Sequence, residues 1–488
     1  MYSVVILLLL GFVRGIEEGS LPLDTFGQLT RYSLVADLKE SNWEKDCPVI
    51  SVWGFMRHAS RFPGPRKAEY MLQNLPPLRD QIVQAASEGR GSISQADIEQ
   101  LKNWSFAYNP KEHFPHMLTM SGEVETAQLG SMSQADIEQL KNWSFAYNPK
   151  EHFPHMLTMS GEVETAQLGK RMLKHLPKFL QNHENLDLAT YHTPAQRTAA
   201  SAETFINSLY GPEIAKNFPI HVTDNGDPVT RPYKNCTLWN SRVKNNRATF
   251  FEYNSFLHSE PEVAAAHERI RSTLGLNPEQ FPEGHSLMLY ELCGFELAWE
   301  PERISPWCAA FHEEDIRVFD YLQDLDFYYK DGPGQHLNYL ITCESIVAIL
   351  QQFHHAGLMG KLLARLGLFR QTKDLYLAKN YDRLGHDRTW RTSHLVPFSA
   401  NLVFALHDCG QEKEPQVSLH LNEQLVLPPF CPSEPRGMCP LSAYYNYLHP
   451  GQCLFQQICS QAEFQWWSGT QIFAVVALLL ASKYFQIW

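Results

Sequence analysis

The segment from Arg57 to Pro63, RHASRFP, contains the residue types that transfer of a phosphoryl group requires. Two arginines flank His58, and the segment follows directly on an apolar, partly β-branched run, Pro48–Met56, that is typical of a buried strand. Guanidinium groups bind phosphate oxygens in a fork geometry, and an imidazole can attack phosphorus. The segment therefore indicates a phosphate site at a strand end, where open α/β sheets bind ligands, although a basic loop is also compatible with it.

The same segment resembles the Arg-His-Gly-x-Arg-x-Pro signature of the histidine acid phosphatases. Within that family, the chain most resembles the branch of multiple inositol polyphosphate phosphatases. One position departs from the signature, because Ala59 stands where the family has glycine and adds a methyl group beside the histidine. The resemblance covers residues 47–427. It implies that His58 is the nucleophile and that Arg57 and Arg61 bind the phosphate.

The resemblance also implies the fold. We expect an α/β architecture with a phosphoglycerate-mutase-like core sheet flanked by helices and an inserted, mostly helical cap. The histidine phosphatase domain is expected over residues 16–460, and the cap is expected from roughly residues 66–180 and 212–332.

Three further segments have periodic patterns of their own. Glu69–Glu88 has helical periodicity, which Pro76 and Pro77 are expected to interrupt. Leu395–Leu406 is a strong strand candidate, and the alternating run Gln416–Leu427 is expected to pair beside it.

A third arginine, Arg197, stands at another strand-to-helix junction. Leu186–Tyr191 is a strand candidate, and a helix is predicted to follow Thr193–Ala202 and to run through Leu209. An arginine at a helix start makes a good anion site, because the N–H groups of the first turn point at the same ligand. The family has an arginine here that contacts phosphate, so the resemblance gives Arg197 this role. A surface arginine in the first helical turn is the alternative.

The second signature of the family, His-Ala-Glu in the inositol polyphosphate branch, corresponds to His355-Ala356-Gly357 in this chain. It follows the apolar run Ser345–Phe353, where a strand is expected, and precedes a helix predicted over Leu358–Phe369. The resemblance implies that His355 stabilises charge on the transferring phosphoryl group. Gly357 stands in the place of the glutamate that protonates the leaving alkoxide.

The absence of that acid leaves two functions open. Loss of a positioned general acid typically lowers a rate by on the order of a hundred- to ten-thousandfold, and no Asp or Glu within the motif replaces it. The chain is either a phosphomonoesterase that acts on inositol polyphosphates through a phosphohistidine, or a weak or inactive pseudo-phosphatase that binds polyphosphorylated ligands. No metal or cofactor is expected, because the arginines neutralise the phosphate charge.

Residues 94–130 recur letter for letter as residues 133–169. Identity over 37 residues indicates a recent duplication or an error in sequence assembly, because repeats that diverged over long times keep a pattern and not identity. Only one copy can occupy the native position. The second copy continues into an amphipathic helix predicted over Gly161–Leu176, and Leu157–Gly161 resembles the segment that opens a helix in histidine phosphatases. We therefore assign the native role to the C-terminal half of the second copy.

The overall charge excludes one class of partner. The chain has 488 residues and a net charge of −12, which argues against nucleic acid and requires a local basic pocket to attract a polyphosphate. One cluster of basic residues is a candidate for part of that pocket, with a solvated face as the alternative. The cluster consists of Arg231, Lys234, Arg242, Lys244 and Arg247.

Several features indicate the secretory pathway. Residues 1–15 have the apolar core of a signal peptide. The ten cysteines are an even number without CxxC spacing, which favours disulfides over a zinc site. The predicted pairs are Cys293–Cys308 and Cys47–Cys409. Sequons for N-glycosylation begin at Asn103, Asn142 and Asn235.

The C-terminal residues 461–488 contain an apolar run, Ile472–Ala481, that is short for a membrane-spanning helix. Small residues around Ser460, a spacer and a terminal apolar tail are typical of a GPI-anchor signal. A tail anchor or single span and a buried helix are the alternatives. We therefore predict an extracellular or cell-surface protein that is attached to the membrane through its C-terminus.

Overall fold

The computed structural model describes most of the chain between residues 21 and 460. The described residues are 21–36, 38, 41–92, 156–181, 186, 188–300, 305–347, 356–369, 376–385, 387–410, 414–432, 437–448 and 455–460. The predicted signal peptide, the first copy of the duplicated segment, the sequons at Asn103 and Asn142, His355 and residues 461–488 lie outside them.

The described strands form one antiparallel sheet and one parallel pair. They are β1 (Val49–Met56), β2 (Thr190–His192), β3 (Ile220–Val222), β4 (Asn401–His407), β5 (Gln416–Leu421), β6 (Gln424–Val426) and β7 (Cys439–Pro440). The antiparallel sheet has the order β1-β4-β5-β6, with β7 paired to β5, while β2 and β3 form the parallel pair. Met56 lies opposite Asn401, so the end of β1 meets the start of β4.

Helices make up most of the remaining structure. They are α1 (Pro65–Ser87), α2 (Met159–His175), α3 (Pro177–Gln181), α4 (Gln196–Tyr210), α5 (Pro212–Ala215), α6 (Thr237–Trp239), α7 (Phe251–Ser259), α8 (Pro261–Thr273), α9 (Gly284–Trp299), α10 (Glu313–Lys330), α11 (His336–Leu340), α12 (Cys343–Val347), α13 (Ala356–Arg365), α14 (Tyr381–Leu384), α15 (Thr392–Leu395), α16 (Leu441–Leu448) and α17 (Phe455–Ser460). Residues 212–332, predicted as part of a helical cap, are mostly helical. The fold is therefore the predicted combination of a core sheet and many helices.

The strands form where the apolar pattern places them, with shifted boundaries. The predicted strand Leu395–Leu406 begins only at Asn401, because Thr392–Leu395 forms the short helix α15. The predicted pairing of the following run is confirmed, since β5 pairs with β4 and turns back into β6. Asn422 and Glu423 close this two-residue turn in left-handed conformations.

Both predicted disulfides are confirmed. Cys47–Cys409 joins the residues just outside β1 and β4, and Cys293–Cys308 joins α9 to the 3₁₀ turn Pro306–Ala310. Sequence alone did not assign two others in the described residues, Cys236–Cys459 and Cys431–Cys439. The pattern supports the interpretation of the cysteines as a disulfide framework.

The predicted interruption of the first helix at Pro76 and Pro77 is wrong, because α1 runs through both prolines. A proline inside a helix costs about 3 kcal/mol. Against this cost stands the burial of an apolar stripe on the same helix, Met71, Leu75 and Ile82. Each such side chain contributes roughly 1.5–3 kcal/mol to stability when it is fully buried. Packing of the apolar face therefore outweighs the lost hydrogen bonds.

Helix α2 comes from the second copy of the duplicated segment, as predicted. It ends one residue before Leu176 and buries Leu168 and Met172. These side chains pack in one apolar cluster with Phe205 and Ile206 of α4. The second copy thus supplies a helix to the core.

Two predicted strands differ from the structure. The strand expected over Leu186–Tyr191 is formed by Thr190–His192, and the apolar run that begins at Ser345 starts inside a helix, Cys343–Val347. The rest of that run, residues 348–353, lies outside the described residues.

None of the helices in the described ranges has the length and apolarity needed to cross a bilayer.

Candidate active site

The segment that begins at Arg57 is held by its backbone at the junction of β1 and β4. The N–H of Arg57 donates to the carbonyl of Ala400 at 2.7 Å, and the N–H of Ser399 donates to the carbonyl of His58 at 3.3 Å. Ala59 is fully buried, and its N–H donates to Ser201 Oγ at 3.4 Å. The structure therefore accommodates the methyl group that departs from the family signature.

His58 is held in one tautomer. Its Nδ1 lies 2.9 Å from the carbonyl oxygen of Ala59. Because a carbonyl only accepts, this contact places the ring proton on Nδ1 and the lone pair on Nε2. A nucleophilic imidazole needs such a lone pair, and His58 is buried where it can be oriented.

The start of α2 clamps the other side of the segment. The N–H of Thr158 donates to the carbonyl of Ser60 at 2.9 Å, and the hydroxyls of the two residues lie 2.6 Å apart. A Cβ on Gly161 would stand 2.6 Å from the same carbonyl, so only glycine permits this approach. The segment Leu157–Gly161, predicted from the family resemblance, thus lies directly against the residues that follow His58.

Arg57 is fixed by the protein itself. Its Nη1 donates to the carbonyls of Gln28 at 2.6 Å and Val396 at 2.8 Å, and its guanidinium lies 4.5 Å from the centroid of the Phe398 ring. Burial, and then the charges of Arg61 and Arg197, lower the pKa of Arg57 well below its usual range. Three cations therefore lie close enough to repel one another.

The other two arginines show the same excess of positive charge. Burial and the charge of Arg197 lower the pKa of Arg61 to about 9, and burial and the charge of Arg231 lower the pKa of Arg197 to about 10. The Nε atoms of Arg57 and Arg197 are buried without a hydrogen-bond partner. Among the ion pairs between described residues, none joins a carboxylate to Arg57, Arg61 or Arg197. This arrangement suits a bound anion.

Sequence reasoning missed Arg231 as an individual site residue. Its Nη1 donates to Asn225 Oδ1 at 2.7 Å and its Nη2 donates to Thr193 Oγ1 at 3.2 Å, which holds the guanidinium near Arg197. The other members of the basic cluster, Lys234, Arg242, Lys244 and Arg247, are exposed. The cluster was the available signal, but only the fold shows which member faces inward.

A cavity of about 730 Å³ lies beside the arginines. Arg57 and Arg61 line it, together with the first turn of α1, where Arg66 and Lys67 add positive charge. A helix N-terminus favours anions through its free N–H groups and its dipole. Two carboxylates also line the cavity, Glu291, which forms an ion pair with Lys67, and Asp326.

The second part of the predicted site is organised around an ion pair. His355 lies outside the described residues, and Gly357 is the second residue of α13. The carboxylate of Asp331, which follows α10, accepts a hydrogen bond from Lys361 Nζ, one turn along α13 from Gly357. The side chain of Lys361 is fully buried, and that of Asp331 is 11% exposed.

Comparison with known proteins decides the family. The sequence profile described as "Histidine phosphatase superfamily (branch 2)" matches residues 49–356, which is more than half of the chain. The chain belongs to this family.

Relatives and solved structures agree with the assignment. Multiple inositol polyphosphate phosphatase 1 of Drosophila melanogaster is 26% identical over 433 residues, which cover 83% of this chain and 81% of the relative. The phytase from D. castellii superposes with a TM-score of 0.61 at 13% identity, covering 90% of this chain and 88% of the phytase. Bifidobacterium longum multiple inositol polyphosphate phosphatase in complex with inositol hexasulfate superposes with a TM-score of 0.56 at 16% identity, covering 86% and 96% of the two chains.

In this histidine phosphatase, the described structure brings together four of the five residues that the signatures single out for the phosphate. His58 lies between Arg57 and Arg61 at the end of β1, and Arg197, the second residue of α4, lies within electrostatic reach of both arginines. Asn235, the remaining sequon in the described residues, is exposed. The predicted position of the missing acid, Gly357, lies against Asp331.

Proposed function

We propose that the chain hydrolyses phosphomonoesters, with inositol polyphosphates as the substrate class, through a phosphohistidine at His58. The observation that carries the proposal is the group of mutually repelling arginines around His58, which forms no ion pair with a carboxylate among the described residues. A phosphoryl group supplies the negative charge that this group lacks.

The geometry supports a division of roles. His58 Nε2 attacks phosphorus while Arg57, Arg61 and Arg197 bind the non-bridging oxygens, and the resemblance adds His355 as a further donor. Water then attacks the phosphohistidine and releases phosphate. Positioning and charge neutralisation supply most of the catalysis of such a transfer.

Inositol polyphosphates are supported as substrates by three observations. The Drosophila relative is a multiple inositol polyphosphate phosphatase, the Bifidobacterium enzyme binds inositol hexasulfate, and the superposed phytase shares the fold. The cavity of about 730 Å³ lies in the range of small-molecule sites. Its positive wall, formed by Arg57, Arg61, Arg66 and Lys67, provides contacts for more than one phosphate.

We further propose that the protein acts in the secretory pathway or at the cell surface. The disulfides in the described residues are typical of an oxidising compartment. Membrane attachment through residues 461–488 stays a prediction from sequence. Release of the full-length protein from intact cells by a phospholipase that cleaves GPI anchors tests it, and retention on the cells would contradict a GPI anchor.

The decisive experiment compares phosphate release from inositol hexakisphosphate by the wild type and by His58→Ala, from acid to neutral pH. We expect release by the wild type and a loss of at least about a thousandfold in the variant, because removal of a nucleophile abolishes the covalent route. Acid-labile labelling of the wild type by ³²P-substrate, absent in His58→Ala, identifies the phosphohistidine. His258→Ala, which changes an exposed histidine of α7, is the matched control.

The second candidate function, a pseudo-phosphatase that binds polyphosphates, is favoured by Gly357 alone. It predicts that inositol hexakisphosphate raises the melting temperature while no phosphate is released at any pH. Phosphate release that depends on His58 excludes this function. If the wild type neither releases phosphate nor gains stability from the ligand, both functions are wrong.

A further inference from the structure

The space beside Gly357 is already occupied by a carboxylate. A Cβ built on Gly357 would stand 3.0 Å from Asp331 Oδ1 and 3.2 Å from its Cγ. A side chain at position 357 would therefore begin in direct contact with this carboxyl group. Asp331 reaches the position from the end of α10, 26 residues earlier in the chain. The structure thus places the carboxyl group of Asp331 beside Gly357, the position at which the family motif has glutamate.

Lys361 lies beside both Asp331 and Gly357. Its ammonium contacts Asp331 and also lies 3.3 Å from the carbonyl of Gly357. It lies 4.9 Å from the ring centroid of Tyr233 and 4.6 Å from that of Trp239, so two aromatic rings lie against it. A fully buried lysine on one carboxylate is an unusual arrangement, because burial of an ion pair costs more than a surface pair returns.

Burial and neighbouring charges together lower the pKa of both members of the pair. Burial acts to raise the pKa of Asp331, but Lys361 and Lys330 together hold it below its usual value. Burial lowers the pKa of Lys361 more than the charge of Asp331 raises it. The lowered pKa of Lys361 makes its ammonium a stronger proton donor than that of an exposed lysine.

The ring of Tyr233 lies beside Lys361, and the charges of Asp331 and of two arginines act on its hydroxyl. Burial and then the charge of Asp331 raise the pKa of Tyr233 to about 12, while Arg231 and Arg197 act in the opposite direction. All three charged groups thus act on one side chain.

We propose that Asp331 is the general acid of this phosphatase and that Lys361 supplies its proton. The inference rests on the proposed function. When the bond from phosphorus to the leaving oxygen breaks and the bond to His58 Nε2 forms, the electron pair stays on the leaving oxygen, which takes a proton from Asp331. Asp331 is ionised before the reaction, so the proton that it passes on is one that Lys361 gives to it, and Lys361 ends this step as the neutral amine. In the second step, water bonds to phosphorus and gives its proton to the Asp331–Lys361 pair, while the electron pair of the P–N bond returns to His58.

The test compares two substrates that differ in their need for a proton. The alkoxide leaving group of inositol hexakisphosphate must be protonated, whereas the nitrophenolate of p-nitrophenyl phosphate leaves as an anion. The variant is Asp331→Asn combined with Lys361→Met, which removes both charges and leaves no unpaired ion. We expect kcat on inositol hexakisphosphate to fall about a hundred- to ten-thousandfold, and kcat on p-nitrophenyl phosphate to stay within about threefold.

Because a partly misfolded variant loses both activities together, the ratio of the two rates separates folding from chemistry. An unchanged ratio in the folded double variant overturns the proposal. Asp326→Asn removes the carboxylate of the cavity wall that lies 3.9 Å from Lys330. A selective loss on inositol hexakisphosphate in that variant, and not in the double variant, would give the role to Asp326 and also overturn the proposal.

A relocation experiment sharpens the test. Positions 357 and 361 are one helical turn apart, the spacing at which a glutamate pairs with a lysine. In the Asp331→Asn background, we expect Gly357→Glu to raise kcat on inositol hexakisphosphate at least about tenfold above that of Asp331→Asn alone. In the wild-type background the same substitution brings a second carboxylate against Asp331 and is expected to lower activity. Equal effects in the two backgrounds contradict the proposal.

The two levels of failure are distinguishable. If the wild type hydrolyses neither substrate, the proposed function is wrong and the role of Asp331 falls with it. If the wild type hydrolyses both substrates through His58 and the double variant keeps their ratio, the proposed function stands and only the role of Asp331 is wrong.

Discussion

The two parts of the candidate site handle charge in opposite ways. The arginine group, Arg57, Arg61 and Arg197, brings cations together without an ion pair to a carboxylate among the described residues. The ion-pair group, Asp331 and Lys361 beside Gly357, balances each charge internally. The first group is incomplete without an anion, and the second is complete in the protein alone.

This difference indicates that phosphate binding belongs to the arginine group and proton transfer to the ion-pair group. Repulsion among the arginines destabilises the free protein, and a bound phosphate relieves it. The ion pair gains nothing from phosphate, so its stability is independent of the ligand. Variants of the two groups should therefore change different measured quantities, and the following predictions are arranged from the largest expected effect to the smallest.

Lys361→Met should have the largest effect on stability. It leaves the buried Asp331 without its ion-pair partner, which typically costs about 3–5 kcal/mol in the free energy of unfolding. Urea denaturation measures the loss. Lys216→Met is the control, because the ion pair of Lys216 with Glu213 has both side chains exposed, so a change below about 1 kcal/mol is expected. Similar losses in the two variants would show that the Asp331–Lys361 pair is not special.

Gly161→Ala tests the backbone fit that supports the arginine group. Alanine is the better helix former by roughly 0.5–1 kcal/mol, but its Cβ would stand 2.6 Å from the Ser60 carbonyl. We expect a net loss of about 1–3 kcal/mol from the forced displacement, together with weaker phosphate binding. Val163→Ala, at an exposed position of the same helix, serves as control. A more stable Gly161→Ala variant would contradict the close approach.

His420 gives the sheet behind the arginine group a dependence on pH. Burial, followed by the charges of His175 and His407, lowers its pKa to about 3. The unfolded chain therefore binds the extra proton first, so stability present above the usual pKa of 6.5 is lost as pH falls toward 3. The loss from this group is about 2 kcal/mol between pH 6.5 and about pH 5.

His420→Phe should remove that part of the pH dependence, and it keeps an aromatic ring against Trp43, whose centroid lies 3.7 Å from that of His420. Denaturation midpoints at both pH values measure the change, with the exposed His258→Phe as control. An equal pH dependence in wild type and His420→Phe would place the acid sensitivity elsewhere.

Arg61→Met should have the smallest effect on stability and the opposite sign. Removing one of three repelling cations is expected to stabilise the free protein by roughly 0.5–2 kcal/mol. Wild type should gain about 2.7 kcal/mol from phosphate at a hundred times its Kd, and the variant should lose most of this gain. Arg247→Met changes an exposed arginine and should leave both values unaltered. A destabilised Arg61→Met variant would contradict the excess of positive charge.

Local signals predicted the arginine group well. The strand up to Met56, the signature around His58 and the helix of Arg197 all lie in short stretches of sequence. The strand forms as expected, and the helix forms with an earlier start, at Gln196 inside the segment Thr193–Ala202 that was predicted to precede it. Arg231 was visible only as one of five basic residues, because the choice among them depends on how the loop before α6 folds.

The ion-pair group could not be predicted in the same way. Asp331 and Lys361 are 30 residues apart and carry no shared motif, and they meet only because the end of α10 packs on α13. The helix through Pro76 was missed for a related reason. Its stability comes from a buried stripe of side chains, which outweighs the local preference of proline.

The disulfide between Cys47 and Cys409 bridges the sheet across a sequence separation of 362 residues. The duplicated segment lies wholly inside the loop that this bond closes. A protease that cuts between the two copies therefore divides the chain into a light fragment with His58 and a heavy fragment with Arg197, and the disulfide keeps the two together. Such a nicked protein should run as one band on a non-reducing gel and as two after reduction, with the nucleophile still tethered to the rest of its site.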